Sequence, residues 1–338
     1  MTIHENYSLK NLHTFGIDVK AKHFVEVFEE YEFINFLKDG NRFKNNLLLI
    51  GEGSNLLFTK DYEGTVLKYS KEGIEIIEET DETVLIKTDA GEKWDSLVNF
   101  CVENNYYGIE NMALIPGCVG AAPIQNIGAY GVELKDVFEY LEGFYIDSCN
   151  RKIIKKDECN FGYRNSLFKN DLKNKFIITK VVIRLSKSKK INLTYRALKD
   201  IFHNKHQDEI TIQQVSEAVK QIRASKLPDP KIYGNAGSFF KNPEIDSNLL
   251  NLLENKYPDI VYHKISEDSY KIPAGWLIEK CGFKGKREGN VGCYEKQSLV
   301  IINYGNAKGS EIRNFSEKIV DVVYKKFQIK LESEVTIL

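Results

Sequence analysis

Residues 115–131, Ile115-Pro-Gly-Cys-Val-Gly-Ala-Ala-Pro-Ile-Gln-Asn-Ile-Gly-Ala-Tyr-Gly131, constrain the fold more than any other stretch, because four glycines, two prolines and two adjacent alanines crowd into it. Such a run builds neither an ordinary helix nor an ordinary strand. Gly117, Gly120, Gly128 and Gly131 permit positive φ and close backbone approach, while Pro116 and Pro123 each remove an amide hydrogen and fix φ. The expectation is a loop whose backbone amides are free to face a partner. With Gln125 and Asn126 as its amide side chains and Tyr130 as its ring, it reads as a wall of main-chain donors and acceptors around a flat or phosphorylated ligand. A tight structural loop is the plain alternative, since glycine clusters often serve only turns.

At 338 residues the chain should form two or three domains whose cores need neither disulfides nor metal. A formal net charge of −1 provides no global field to recruit nucleic acid or an anionic membrane. Cys101, Cys118, Cys149, Cys159, Cys281 and Cys293 include no C-x-x-C pair and no histidine at zinc-finger spacing, so reduced structural thiols are expected. No basic-then-apolar leader opens the sequence, and no apolar run approaches the ~18 residues of a membrane span, which makes the cytoplasm the expected address.

Periodicity describes an α+β chain. A small β/α lobe opens with Asn11-Leu-His-Thr-Phe-Gly16, the cluster Phe24, Val25 and Val27, and a short amphipathic helix at Phe33, Ile34, Phe36 and Leu37. Leu47-Leu-Leu-Ile50 reads as a strand buried on both faces that runs into Gly51-Glu-Gly-Ser-Asn55-Leu56. That loop fails as a dinucleotide fingerprint, since Leu56 takes the third glycine position, and it lacks the lysine of a P-loop. Gly51, Gly53, Ser54 and Asn55 remain as donors for a pyrophosphate, or as a plain turn.

Val66–Lys68, Ile74–Ile77 and Thr83–Thr88 are expected in one sheet, followed by an amphipathic helix carrying Trp94, Leu97, Val98, Cys101 and Val102. Strands return around 139–143 and 176–185. Between them Arg164 lies in a Gly- and Asn-rich bend, where it holds a carboxylate or phosphate, or only a surface ion pair. Thr211 should cap a helix carrying Ile212, Val215, Val219 and Ile222, which Leu227-Pro-Asp-Pro230 ends. Beyond lie a small-residue loop around Ser238, whose hydroxyl can be donor, nucleophile or turn cap, then helices near 249–253 and 275–281. A strand at 299–303, a helix with Ile312 to Val323, and a short terminal strand at Glu334 complete the chain; an isolated glutamate there reads as solvated.

Seven blocks together resemble the bacterial UDP-N-acetylenolpyruvoylglucosamine reductases, in that family's order: Asn11–Gly16, Leu49–Phe58, Ile115–Leu134, Tyr163-Arg164 with Ser166–Phe168, Gly234–Pro243, Ala274–Lys284 and Leu331–Val335. Lys190-Ile-Asn-Leu-Thr-Tyr195 is similar to the extra substrate-covering loop of the family's longer type. The resemblance implies an α+β, non-Rossmann FAD-binding fold of the vanillyl-alcohol-oxidase-like type. Its lobes are expected at 1–65 and 66–225, with 330–338 returning to the second, and a substrate-binding domain at 226–329. It further implies non-covalent FAD, NADPH as reductant, UDP-N-acetylglucosamine enolpyruvate as substrate in cell-wall precursor synthesis, and a monomer.

FAD contacts are implied for Gly51, Gly53, Ser54, Asn55 and Leu56, and for Ile115, Pro116, Gly117, Gly120, Ala121, Ala122, Gln125, Asn126, Gly128, Ala129, Tyr130 and Gly131. Hydride addition at C3 of the enol ether builds charge at C2 and its carboxylate, so Arg164 is the implied cation there, Ser238 the implied proton donor to C2, and Glu334 the implied carboxylate assisting it. Tyr163, Tyr195, Lys226, Asn242, Tyr262, Lys284 and Gln297 are the implied substrate contacts. Two departures stand out: Arg196-Ala197 follows Tyr195 where the family often has Gly-Asp, and Cys118 replaces a more usual threonine. The alternatives are another FAD oxidoreductase of the superfamily and a non-catalytic nucleotide-sugar binder. All six histidines lie outside the central loop, against a covalent flavin, and a binder has no need of a proton donor.

Overall fold

In the computed structural model residues 1–39 and 46–338 are described, and they divide into two compact units: 1–7, 21–52 and 63–224; and 8–20, 53–62 and 225–338. The first unit contains a four-stranded sheet of β1 (Thr2–Ser8), β2 (Lys20–Val27), β5 (Tyr62–Tyr69) and β3 (Leu47–Ile50), in the order β1-β2-β5-β3. Strand β3 runs parallel to β5, with Ile50 opposite Lys68, and so carries the chain directly to Gly51. Leu48 and Leu49 are only half-buried, because β3 pairs with β5 alone among the described residues; the unbroken apolar run overstates its enclosure. Helix α1 (Glu30–Asp39) packs Phe33, Phe36 and Leu37 against Val25, Val27 and Leu67.

The second sheet of this unit is antiparallel, ordered β11 (Arg151–Lys155), β10 (Phe138–Tyr145), β12 (Phe176–Ser186), β7 (Thr83–Asp89) and β6 (Ile74–Glu79). The single sheet expected for 66–68, 74–77 and 83–88 is therefore two. Val66 to Lys68 lie on β5 and pair with β3, and the chain leaves that ladder at 70–73, where the Gly73 carbonyl accepts from Asp89 N at 2.9 Å. Helix α2 (Trp94–Glu103) buries Trp94, Leu97, Val98, Cys101 and Val102, the face its 3.6-residue period predicts. After α3 (Arg196–Phe202), helix α4 (Ile212–Lys226) begins with reciprocal Thr211–Gln214 hydrogen bonds, each 3.2 Å, and buries Ile212, Val215, Val219 and Ile222.

The second unit holds α5 (Ser247–Lys256), α6 (Ala274–Lys280) and α7 (Gly309–Phe327). Its short sheets are β13 (Glu244–Ile245), β15 (Ser269–Lys271) and β14 (His263–Ser266), and β16 (Arg287–Glu288), β17 (Val291–Cys293) and β18 (Ile301–Asn303). The tail, expected to return to residues 66–225, pairs elsewhere: β19 (Thr336–Ile337) runs parallel to β4 (Leu56–Leu57) in this same unit, and Thr59 N donates to the Leu338 carbonyl at 2.9 Å. Residues 8–20 also belong here. Thr14 N donates to Gly53 O at 3.3 Å, and Gly234 lies so near the Phe15 carbonyl that a Cβ would stand 2.2 Å from its oxygen. No helix among the described residues is long and apolar enough to cross a membrane.

Candidate active site

In the first unit, Val119–Gln125 forms a 3-10 helix that contains Pro123 and ends at Asn126, which takes the left-handed conformation with φ 44°. Several amides expected to face a ligand are engaged inside the protein. Gly117 N donates to Glu52 Oε2 at 3.0 Å, Val119 N to Glu92 O at 2.8 Å, Gly120 N to Ala90 O at 2.9 Å, and Ala121 N to Cys118 O at 3.0 Å. The short turn, residues 90–92 and the Glu52 carboxylate satisfy them, as buried backbone donors require. Glycine is needed for contact: a Cβ on Gly51 would stand 2.3 Å from Cys118 Sγ, and one on Gly120 2.5 Å from Ala90 Cβ. The two nominated cofactor segments thus touch at Gly51 and Cys118, and burial pushes the Cys118 thiol up from its ordinary pKa.

Asn126 is wholly buried, so its side chain serves the fold. Its Nδ2 donates to Glu133 Oε2 at 2.9 Å and to Gly162 O at 3.2 Å, while Oδ1 accepts from Lys135 N at 2.9 Å. The bond to Gly162 is the first of three that fasten the arginine turn to the central loop. Ser166 Oγ donates to Ile124 O at 2.6 Å, and Arg164 Nη2 to the carbonyl of Gly128, on β8 (Gly128–Ala129), at 3.1 Å. Strand β9 (Val132–Glu133) closes the β8 hairpin. The turn is tight: Gly162 and Asn165 exchange backbone hydrogen bonds of 3.0 and 3.2 Å, and Arg164 sits at φ 50°, a conformation that stores strain in a non-glycine residue. The guanidinium lies 5.7 Å from the Tyr163 ring centre.

A second arginine, absent from the residues that the family resemblance implies, joins this region. Arg223, near the end of α4, lies close enough to Tyr130 for the two to perturb each other, and burial pushes its guanidinium below the ordinary range while the Arg164 charge adds to that fall. Its Nε is buried without a hydrogen-bond partner among the described residues. Burial raises the Tyr130 hydroxyl, and Arg223 opposes that rise. The available signal is Arg223 itself, a charge four residues after Val219 beside the apolar stripe of α4. Tyr195, 45% exposed, sets its ring 5.0 Å from that of Tyr130 at 80°. A cavity of about 330 Å³ in the same unit is lined by Gly51, Glu52, Lys68, Ser70, Lys93 and Cys118 among others.

In the second unit Ser238 and Glu334 come together. Phe239 N donates to Leu299 O at 2.9 Å, and Glu334 N donates to Phe239 O at 2.8 Å, so Ser238 and Glu334 lie one residue out of register across a backbone ladder. Glu334 is half-buried, unlike the solvated side chain expected of an isolated terminal glutamate. Asn235 shapes the serine loop, its Oδ1 accepting from Gly237 N at 2.9 Å and its Nδ2 donating to Tyr233 O at 2.8 Å. Asn55, nominated for the cofactor, donates through Nδ2 to the Glu334 carbonyl at 3.1 Å.

Of the nominated substrate residues here, Asn242 and Gln297 converge on the start of α6. Asn242 Oδ1 accepts from Ala274 N at 2.9 Å, and a Cβ on Gly275 would meet Gln297 Oε1 at 3.1 Å. Lys284 is exposed and pairs with both Glu279 oxygens at 3.0 Å, Lys226 is exposed at the end of α4, and Tyr262 packs 5.7 Å from Tyr270.

A family model described as the C-terminal domain of UDP-N-acetylenolpyruvoylglucosamine reductase matches residues 229–338, and one described as an FAD binding domain matches residues 21–147. The chain is similar to a UDP-N-acetylenolpyruvoylglucosamine reductase of Flavobacterium johnsoniae, 45% identical over 339 residues with 100% of each chain covered. It is also similar to that of Pseudomonas aeruginosa, 40% identical over 334 residues with 99% of this chain and 98% of that one covered. A solved UDP-N-acetylenolpyruvylglucosamine reductase from Thermus caldophilus shares the fold, with a TM-score of 0.68, 21% identity, and 99% of this chain and 98% of that chain covered. Identity of this order along the whole length, with both domain models matched in sequence, means that the chain belongs to the UDP-N-acetylenolpyruvoylglucosamine reductase family.

Proposed function

We propose that this chain reduces UDP-N-acetylglucosamine enolpyruvate to UDP-N-acetylmuramate in peptidoglycan precursor synthesis, with FAD as its cofactor and NADPH as reductant. The observation that carries the reading is the ladder that brings Ser238 and Glu334 together from distant parts of the sequence. A hydroxyl-bearing residue and a half-buried glutamate on neighbouring positions of one ladder are the residue types that protonation of a carbon centre calls for.

The residues present fit FAD. Gly51 and Gly120 leave no room for a Cβ where the nominated loops close, and the cavity beside Gly51 offers Lys93 to the anionic part of a dinucleotide, while Lys68 and Ser70 on the same wall are held by Glu26. Bound FAD supplies the hydride carrier between NADPH and the enolpyruvyl group. As hydride arrives at C3, the Arg164 guanidinium offsets charge building at C2 and its carboxylate, and Arg223 adds a second cation from the same unit. Ser238 donates the proton to C2, and Glu334 polarises the hydroxyl and restores its proton. Tyr163, Tyr195, Lys226, Asn242, Tyr262, Lys284 and Gln297 bind the nucleotide sugar, with Lys226 and Lys284 acting as point charges for the diphosphate. Residues 226–329 serve as the substrate-binding domain. The reading takes a monomer acting in the cytoplasm.

The test is a visible spectrum of the purified protein through both half-reactions. A flavin band that NADPH bleaches and the enolpyruvyl nucleotide restores is expected. A protein that stays colourless after incubation with FAD, or a bleached flavin that the substrate leaves bleached, would overturn the reading.

A further inference from the structure

We propose that Asn111 and Asn192 form a clasp that seats Tyr195 against the central loop and thereby sets affinity for the nucleotide-sugar substrate. The inference rests on the reading that Tyr195 touches that substrate. Asn111 is wholly buried, and its Nδ2 donates twice, to the Tyr130 carbonyl at 2.9 Å and to the Asn192 carbonyl at 2.9 Å. Asn192 returns the connection. Its Nδ2 donates to the Gly131 carbonyl at 3.0 Å, while its Oδ1 accepts from Thr194 N at 2.9 Å and from Thr194 Oγ1 at 2.7 Å. Two side-chain amides thus bind the end of the central loop to the segment that delivers Tyr195.

The fit between the two segments leaves little slack. Gly131, at φ 86°, is so close to that segment that a Cβ would lie 2.8 Å from Thr194 Oγ1. The orientation of Asn111 is fixed by chemistry: both neighbours are carbonyl oxygens, so only its NH₂ can face them. Its Oδ1 is left buried with no partner among the described residues, a cost that the two donated bonds must offset. What this buried joint presents is an open aromatic ring, edge-on to Tyr130. Asn111 and Asn192 are therefore positioning residues: neither is assigned a ligand contact, and each acts through Tyr195.

The test measures binding of UDP-N-acetylglucosamine enolpyruvate to oxidised holoenzyme by the change in flavin absorbance, beside NADPH reduction of the same preparations. Asn192→Ala is expected to raise the substrate Kd and KM about tenfold, as loss of buried hydrogen bonds implies, with FAD content and NADPH reduction within about twofold of wild type. Asn111→Ala should act in the same direction; where it fails to fold, half-buried Asn192 decides. Adding Asn192→Ala to Tyr195→Ala should bring no further loss, because the clasp has nothing left to seat. Additive losses, or an Asn192→Ala variant that lowers thermal stability and every rate alike, would overturn the clasp. Weak binding by Tyr195→Ala with normal binding by Asn192→Ala overturns the clasp and spares the reading of Tyr195. Normal binding by Tyr195→Ala overturns both.

Discussion

Arg164 and the pair Ser238 and Glu334 are held in place by different kinds of bond. The arginine turn is attached to the central loop by side chains that reach main-chain carbonyls: Asn126 to Gly162, Arg164 to Gly128 and Ser166 to Ile124. Ser238 and Glu334 stand on a backbone ladder, in which Phe239 N meets Leu299 O, Glu334 N meets Phe239 O and Lys241 N meets Glu332 O at 2.9 Å. A ladder made of peptide groups survives replacement of the side chains it carries. A turn fastened by side chains does not, so chemistry and stability should separate cleanly in the second unit and remain entangled in the first.

The largest effect expected is on rate alone. Ser238→Ala removes the proposed proton donor from a position whose backbone bonds stay, so flavin reoxidation by the enolpyruvyl substrate should slow by roughly 10²–10⁴, the range of general acid terms. NADPH reduction and the melting temperature should hardly change. Rapid mixing of each half-reaction, with a thermal melt of the same sample, checks both parts. Equal slowing of the two half-reactions would remove Ser238 from proton transfer, and a large fall in melting temperature would break the contrast between ladder and side-chain fastening.

Asn126→Ala should show the opposite balance. It deletes three hydrogen bonds from a fully buried site and places alanine at φ 44°, which asparagine tolerates better. Loss of about 2–4 kcal/mol of stability is expected from buried groups left unpaired. Reoxidation should slow with it, because Gly162 is no longer tethered and Arg164 loses its seat. Urea unfolding measures the first and stopped-flow absorbance the second. A variant as stable as wild type would show that the arginine turn does not depend on this tether.

Local signals made the helices legible. The stripes on α2 and α4 and the Thr211–Gln214 box need only neighbours three and four residues away. Strand β5 and the tail depart from the sequence expectation because sheet membership depends on partners far along the chain, β3 for one and β4 for the other. The central loop shows the same limit. Its glycines and prolines announce an irregular path, but nothing local tells that Gly120 N meets Ala90 O or that Asn126 is buried beneath Gly162. Arg223 is illegible for a related reason: a charge beside an apolar helical stripe reads as solvated, and only the fold puts Tyr130 and Arg164 around it.

The smallest expected effect divides the two units by pH. In the second unit His13 is buried, with Nε2 3.1 Å from the Ile17 carbonyl and Nδ1 unpartnered among the described residues, and burial holds its pKa below the ordinary 6.5. The native state therefore binds the proton less readily than the unfolded chain, so the neutral ring contributes stability that is complete above pH 6.5 and is lost as pH falls through the folded pKa. Glu110 in the first unit, 2% exposed, has the reverse sign. Burial raises its pKa above the ordinary 4.5, so its contribution is complete below that value and lost as pH rises through the folded pKa. Thermal melts from pH 7 down to pH 5 should show a fall in stability that His13→Gln reduces and Glu110→Gln does not. Because His13 precedes Thr14, whose amide meets Gly53 O, acid should weaken the second unit's loop joint while sparing the side-chain tethers around Arg164. A pH slope identical in His13→Gln and wild type would assign the acid sensitivity to other groups and leave both forms of fastening equally robust to protons.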